Sequence, residues 1–226
     1  MTSIAPGVEV VQAAAPSGTI ALLHKPAAPE QRTVVYLHGN GSDLATVRPL
    51  VEIIGRRGLG FAAIEYPGYG VLRAEKPSER AIYARVADSL AHLRDAGCEP
   101  QDTVLVGESL GSAVATEMAH RGLGGRLVLL SAFTSMPAMF KNTFRPYPAR
   151  LVPDKFDTLA KASAIGIPTL LIHGETDALV PSAMSEQLEH RFPNARREII
   201  HGRDHGNLWA PPSRTAELVR EFASAR

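Results

Sequence analysis

Short apolar runs recur along the chain and mark its predicted strands. Two of them, Val8 to Gln12 and Thr19 to His24, flank a Pro16-Ser17-Gly18 turn signal and predict an antiparallel opening pair. The later runs are mostly apolar throughout, a pattern typical of strands that are buried on both faces. These runs are Val34 to Leu37, Phe61 to Glu65, Thr103 to Val106, Arg126 to Leu130, Pro168 to Ile172 and Arg196 to Ile200.

Segments in which apolar residues recur at helical spacing separate these runs. The predicted helices are Leu44 to Arg57, Ser78 to Ala96, Leu110 to His120, Ser182 to Arg191 and Arg214 to Ala223. Strands that alternate with helices form a parallel sheet with helices packed on both of its faces. The pattern therefore predicts the α/β fold class.

One interval, residues 133–164, departs from this alternation. It is rich in Pro, Phe and Met, and it is too long for an ordinary connecting loop. We interpret it as a small cap-like insertion. Its side chains Met136, Met139, Phe140 and Phe144 are predicted to line a pocket, although Met and Phe are more often ordinary core residues.

Size and composition narrow the class of protein. A chain of 226 residues and 24.2 kDa fits one domain, residues 1–226. A formal net charge of +1, without a run of five like charges, gives no support for nucleic-acid binding.

No apolar run approaches the roughly 20 residues of a membrane helix. Residues 1–15 lack a signal peptide's basic segment, and the single Cys98 has no disulfide partner, so we expect a soluble cytoplasmic protein. Its oligomeric state stays open.

The segment Gly107-Glu108-Ser109-Leu110-Gly111 fits the G-x-S-x-G pattern. It stands where the predicted strand Thr103 to Val106 ends and a predicted helix begins, which is the context of a nucleophile elbow. Glycines on either side would relieve the steric crowding of so sharp a turn. The alternative is that Ser109 only caps the helix.

Candidate partners for the serine follow in the order acid, then histidine. Asp177 lies directly after the strand that ends at Ile172, and His205 lies after the strand that ends at Ile200. A serine hydroxyl needs an imidazole to accept its proton, and a carboxylate must hold that imidazole in the right tautomer. Glu175 and Asp204 are the alternative acids.

The remaining requirement is a site for developing negative charge. One donor is expected from the backbone N–H of Leu110, next to the nucleophile, and the other from Asn40 in the loop His38-Gly39-Asn40-Gly41. A plain turn is the alternative for this loop. The turn Pro67-Gly68-Tyr69-Gly70 either shapes the floor of the site or is an ordinary β-turn.

From about Val34 to Leu208 the chain resembles the small α/β-hydrolase-domain serine hydrolases, a group that includes protein depalmitoylases and lysophospholipid hydrolases. The resemblance implies an eight-stranded, mostly parallel sheet and a triad of Ser109, Asp177 and His205. Membrane-acting members carry an N-terminal anchor that this sequence lacks, which argues against a membrane-borne substrate. The motifs that carry the resemblance are His38-Gly39-Asn40-Gly41, Glu65-Tyr66-Pro67-Gly68-Tyr69-Gly70, Pro77-Ser78-Glu79, Gly107-Glu108-Ser109-Leu110-Gly111, Ser131-Ala132-Phe133-Thr134-Ser135 and His173-Gly174-Glu175-Thr176-Asp177.

The sequence therefore predicts a serine hydrolase that cleaves small carboxylic esters or thioesters of short to medium acyl chains, without a cofactor. The alternatives are an acyl-peptide or dienelactone-type hydrolase, or a binding protein without activity. A metal site is not expected, because no H-x-x-x-H or H-E-x-x-H spacing occurs.

Overall fold

The computed structural model describes residues 7–143 and 152–225. Within them, eight strands form one sheet in the spatial order β1-β2-β4-β3-β5-β6-β7-β8. The first two neighbouring pairs in this order, β1–β2 and β2–β4, are antiparallel, and the other five pairs are parallel. The strands are β1 Glu9–Ala15, β2 Gly18–Lys25, β3 Thr33–Leu37, β4 Gly60–Ile64, β5 Thr103–Glu108, β6 Arg126–Leu130, β7 Thr169–Gly174 and β8 Ala195–Ile200.

The described residues contain eight α-helices and two short 3-10 helices, Gly70–Leu72 and Pro100–Asp102. The α-helices are α1 Leu44–Val47, α2 Leu50–Ile54, α3 Glu79–Asp95, α4 Leu110–His120, α5 Met136–Thr143, α6 Thr158–Ala162, α7 Ser182–Arg191 and α8 Arg214–Ser224. Their packing gives the sheet two cores. Successive side chains of β3 alternate between these cores, with Val35 and Leu37 in the first and Val34 and Tyr36 in the second. The first core includes α3, α4 and α7, and the second includes α1, α2 and α8. The α/β class and the mostly parallel eight-stranded sheet are confirmed.

The prediction of one helix from Leu44 to Arg57 is wrong. The structure has two short helices there, and Pro49 stands at the N-cap of the second. Proline has no backbone N–H, and its ring clashes with the carbonyl four residues earlier, so a continuous helix is interrupted at this point.

The interval 133–164 contains α5 and α6, which the sequence analysis did not place. Residues 144–151 lie outside the described part of the chain, so nothing follows here about Phe144. Asp157 caps the N-terminus of α6 by accepting a hydrogen bond from the backbone N–H of Ala160.

A buried arginine joins the first hairpin to α3. Arg85 is 1% exposed, and its Nη2 donates to Ser17 O at 2.7 Å and to Glu75 Oε2 at 2.7 Å. Its Nη1 donates to Thr19 O. A guanidinium so deeply buried is tolerated because its donors have acceptors.

Candidate active site

Ser109 occupies a strained turn between β5 and α4. Its φ is 51° and its ψ is −114°, a conformation that L residues rarely adopt. Its N–H donates to Leu130 O at 2.9 Å, and its side chain makes no capping hydrogen bond with the helix. The interpretation of Ser109 as only a helix cap is therefore wrong. A Cβ at Gly107 or Gly111 would overlap backbone atoms, so the close approach of strand, turn and helix requires glycine at both positions.

His205 lies between the serine and a carboxylate. Its Nε2 is 3.2 Å from Ser109 Oγ, and its Nδ1 donates to Asp177 Oδ2 at 2.9 Å. The three side chains follow β5, β7 and β8, whose carboxyl ends lie at the same edge of the parallel part of the sheet. The structure thus brings together the three residues that the sequence predicts as a triad.

The Asp177 carboxylate is fully buried and surrounded by donors. Its Oδ1 accepts from the backbone N–H of Leu179 at 3.0 Å and of Val180 at 2.8 Å. His173 Nε2 lies 3.4 Å from Oδ2. Burial would raise the pKa of Asp177, but the hydrogen bonds from His173, His205 and Val180 hold that pKa well below its usual range. The Asp177 carboxylate is therefore ionised in the folded protein at neutral pH.

The two alternative acids are engaged elsewhere. Glu175 is exposed and lies 3.2 Å from the Nδ1 of His201, and its other oxygen accepts from Gly202 N–H. Asp204 accepts from the backbone N–H of Gly206 at 2.8 Å. Neither carboxylate takes the place on His205 Nδ1 that Asp177 occupies.

The imidazole of His205 is tuned by several groups. Burial lowers its pKa, but the hydrogen bond to Asp177 and the negative charges of Asp177, Glu108 and Asp204 raise it more. The net effect is a pKa above the ordinary histidine value of 6.5.

The loop after β3 packs against the nucleophile turn. A Cβ on Gly39 would stand 3.4 Å from both Glu108 O and Ser109 Cβ, which shows how close the two backbones lie. Asn40, the next residue, lines the same cavity as Ser109 and Leu110. This places both predicted donor residues beside the serine.

The segment that follows β4, Glu65 to Tyr69, contacts the loop after β3. The buried Glu65 accepts from His38 Nε2 at 3.1 Å and from Leu44 N–H at 3.3 Å. Tyr66 stacks on the His38 ring with centroids 4.1 Å apart, and Tyr69 OH donates to Asn40 Oδ1 at 2.7 Å. The turn after β4 is thus part of the site. Its sequence motif was visible, but its partners in the loop after β3 were not.

Glu108 links the serine turn to the histidine loop. Its Oε2 accepts from Trp209 Nε1 at 3.0 Å and from Tyr36 OH. Burial, followed by the charge of Glu108, raises the pKa of Tyr36 well above its usual value, so this phenol remains a donor. The sequence analysis missed this contact.

A cavity of about 520 Å³ opens beside Ser109. Three of the residues that the sequence predicts to line a pocket, Met136, Met139 and Phe140, line this cavity. Most of the other lining side chains are apolar as well, which suits an acyl chain. Tyr69, from the turn that the sequence offered as the floor of the site, also lines it. The sequence analysis did not name the remaining lining residues individually, which are Pro77, Ser78, Ile82, Phe133, Val152, Pro153, Asp154, Phe156 and Leu179.

Among residues 7–143 and 152–225, no group of three or more His, Cys, Asp or Glu side chains is arranged to hold a metal ion. The same part of the chain contains no helix long and apolar enough to cross a bilayer.

Comparison with known proteins identifies the family. A model of the alpha/beta hydrolase family matches residues 34–162, which is more than half of the chain. The chain belongs to the alpha/beta hydrolase family. The match includes Ser109 and ends before Asp177 and His205.

Individual relatives agree with this assignment. Alpha/beta hydrolase domain-containing protein 17C of Homo sapiens is 28% identical over 186 residues, which cover 80% of this chain and 55% of that protein. The chain thus spans little more than half the length of this relative.

Two solved structures share the fold. The alpha/beta hydrolase enzyme MGS-M2 from a Medee basin deep-sea metagenome library superposes with a TM-score of 0.78 at 14% identity, over 96% of this chain and 98% of that one. The esterase EaEST from Exiguobacterium antarcticum superposes with a TM-score of 0.76 at 15% sequence identity, over 96% of this chain and 100% of that one.

Proposed function

We propose that this chain is a serine hydrolase that cleaves carboxylic esters or thioesters of short to medium acyl chains through an acyl-enzyme on Ser109. The observation that carries the proposal is the hydrogen-bonded series from Ser109 Oγ through His205 to Asp177 at the mouth of an apolar cavity. Family membership and the esterase among the structural neighbours support it.

In this mechanism Ser109 Oγ attacks the acyl carbonyl carbon while its proton passes to His205 Nε2. The carbonyl oxygen becomes an oxyanion facing the backbone N–H groups of Leu110 and Asn40. When the tetrahedral intermediate collapses, the bond to the alcohol or thiol breaks, and the leaving group takes the proton from His205. Asp177 stabilises the imidazolium that exists between these two steps.

Water completes the cycle. His205 accepts a proton from a water molecule, whose oxygen attacks the acyl-enzyme carbonyl. Collapse of the second intermediate breaks the bond to Ser109 Oγ, which regains its proton from His205. The products are one carboxylic acid and a restored serine.

The interval 133–164 is assigned the role of a small cap over the acyl pocket. Its helix α5 supplies Met136, Met139 and Phe140, and Phe156 adds a buried ring from the other end of the interval. Each methylene buried there contributes about 0.8 kcal/mol, so longer chains are favoured until the cavity is full.

A fluorophosphonate probe tests the proposal, because it reacts only with an activated serine beside an oxyanion site. We expect labelling at Ser109, shown by peptide mass spectrometry, and loss of both labelling and p-nitrophenyl ester turnover in Ser109→Ala. The matched control is Ser112→Ala, one helical turn away, which should still be labelled at Ser109. Labelling of another serine would overturn the assignment.

A further inference from the structure

Two cavities meet at one short segment of the chain. The acyl cavity beside Ser109 and a second cavity of about 570 Å³, which we call the outer groove, are both lined by Pro153 and Asp154. The outer groove is otherwise lined by Glu79, Arg80, Tyr83, Ala84 and Arg121. Residues 152–156, which we call the wall segment, therefore separate the acyl cavity from the outer groove.

The wall segment is bound to the start of α3 by a reciprocal pair of hydrogen bonds. Glu79 N–H donates to Asp154 Oδ1 at 3.0 Å, and Lys155 N–H donates to Glu79 Oε2 at 2.7 Å. Each residue thus offers a carboxylate to the other segment's backbone. These bonds join positions 75 and 76 residues apart, so they fix tertiary structure rather than a local turn.

The other side of the wall segment is bound to α5. Met136 N–H donates to Lys155 O at 2.8 Å. Phe156 is 4% exposed and meets the Tyr83 ring edge-on, with centroids 5.7 Å apart. The segment is consequently held between two helices, and its attachment to α3 consists of the hydrogen-bonded pair at Glu79 and Asp154 together with the Phe156–Tyr83 ring contact.

We propose that Glu79 and Asp154 determine the longest acyl chain that the pocket accepts, by holding the wall segment closed against the outer groove. This inference rests on the proposed function, because it assigns the acyl chain to the cavity beside Ser109. Glu79 lines the outer groove and not the acyl cavity, so we assign its effect on chain length to its hydrogen bond with the wall segment. Glu79 is therefore a positioning residue, whereas Asp154 also touches the pocket.

The test compares Glu79→Ala with wild type by kcat/KM over p-nitrophenyl esters from acetate to palmitate. Loss of the Glu79 carboxylate, which accepts from Lys155 N–H, should release the wall segment. The acyl chain of the substrate can then extend toward the outer groove, and the acyl length with the highest kcat/KM should increase by two carbons or more. Each newly accommodated methylene should raise kcat/KM about fourfold. Glu79→Gln retains an oxygen acceptor and should keep the wild-type optimum.

Glu52→Ala is the matched control, because Glu52 also stands in the first turn of a helix, α2, on the opposite side of the sheet. Its optimum should equal that of wild type. An unchanged optimum in Glu79→Ala would overturn the proposal, whether or not the melting temperature falls. If Glu79→Ala does not fold, Asp154→Ala removes the other bond of the pair, and an unchanged optimum there has the same meaning.

Binding of the free carboxylic acids of the same series, measured by calorimetry, shows how affinity depends on acyl length without any turnover. We expect affinity to rise with chain length, then stop in wild type, and to continue rising over longer acids in Glu79→Ala. Identical length limits in the two proteins would overturn the wall proposal. A third outcome is that the acids bind as expected but the protein hydrolyses no ester. This outcome would reject the proposed function and would still support the role of the wall segment.

Discussion

The Asp177 carboxylate accepts hydrogen bonds from two backbone N–H groups with one oxygen and from His205 with the other. The amide of Asp177→Asn would present an N–H₂ group to one of these donors and would no longer stabilise an imidazolium. We expect a fall in kcat of about 10,000-fold, measured with a p-nitrophenyl ester.

The matched control for this substitution is Asp204→Asn, since Asp204 is next to His205 in sequence but bonds to Gly206. It should retain most of its activity. The assignment of Asp177 as the acid fails if Asp204→Asn is the inactive variant and Asp177→Asn turns over normally.

The pKa of His205 sets the acidic side of the activity profile. Protonated imidazole cannot accept the serine proton, so kcat/KM should fall as the pH drops through a pKa above 6.5. The negative charge of Glu108 contributes to that raised pKa. Glu108→Gln removes the charge but keeps an oxygen for Trp209 and Tyr36. Its acidic limb should therefore move to lower pH, and a limb that stays in place would show that Glu108 does not act on His205.

Chain order predicted Asp177 and His205 as the partners of Ser109, because each follows a strand of the parallel sheet. It left Glu175 and Asp204 open as alternatives to Asp177, and the hydrogen bond on His205 Nδ1 distinguishes among the three acids. The contact between Glu108 and Trp209 could not be predicted in this way. The two side chains lie 101 positions apart, and only the packing of β5 beside the loop after β8 makes them neighbours. Phe144, predicted to line the pocket, lies outside the described residues and stays a prediction.

At the scale of elements, the turn after β4 holds the loop after β3 through Tyr69 and Asn40. Tyr69→Phe removes one hydroxyl hydrogen bond and keeps the ring that packs on His38. A neutral hydrogen bond is worth about 0.5–1.5 kcal/mol, so kcat should fall about 2- to 10-fold while KM changes little. Equal kcat in the variant and wild type would mean that the bond does not position the loop.

Elements with an uninterrupted pattern were the easiest to predict. The buried strands of the parallel sheet are apolar on both faces, and their length of five or six residues is too short for an ordinary buried helix. The short helices were harder. Met136, Met139 and Phe140 stand at helical spacing in α5, but Pro137 and the surrounding aromatic residues obscured that signal. In α1 and α2, the apolar spacing continued across Pro49, which ends the first helix.

At the scale of the whole molecule, Arg85 attaches the antiparallel hairpin to α3 without touching the site. Arg85→Met would leave the carbonyls of Ser17 and Thr19 without their donor inside the protein. We expect a loss of about 2–4 kcal/mol in the free energy of unfolding, measured with urea. The exposed Arg214 makes ion pairs on the surface, so Arg214→Met should leave the urea midpoint unchanged. Equal midpoints for the two variants would contradict this role of Arg85.

The left-handed backbone of Ser109 has a consequence for how this sequence can change. A side chain in that conformation costs about 1–2 kcal/mol, whereas a glycine would avoid the cost and lose only about 0.5–1 kcal/mol through its more flexible unfolded state. Ser109→Gly should therefore be at least as stable as wild type. A mutant library selected for heat resistance alone would drift toward glycine at this position, so a lineage retains the serine only while turnover is under selection as well.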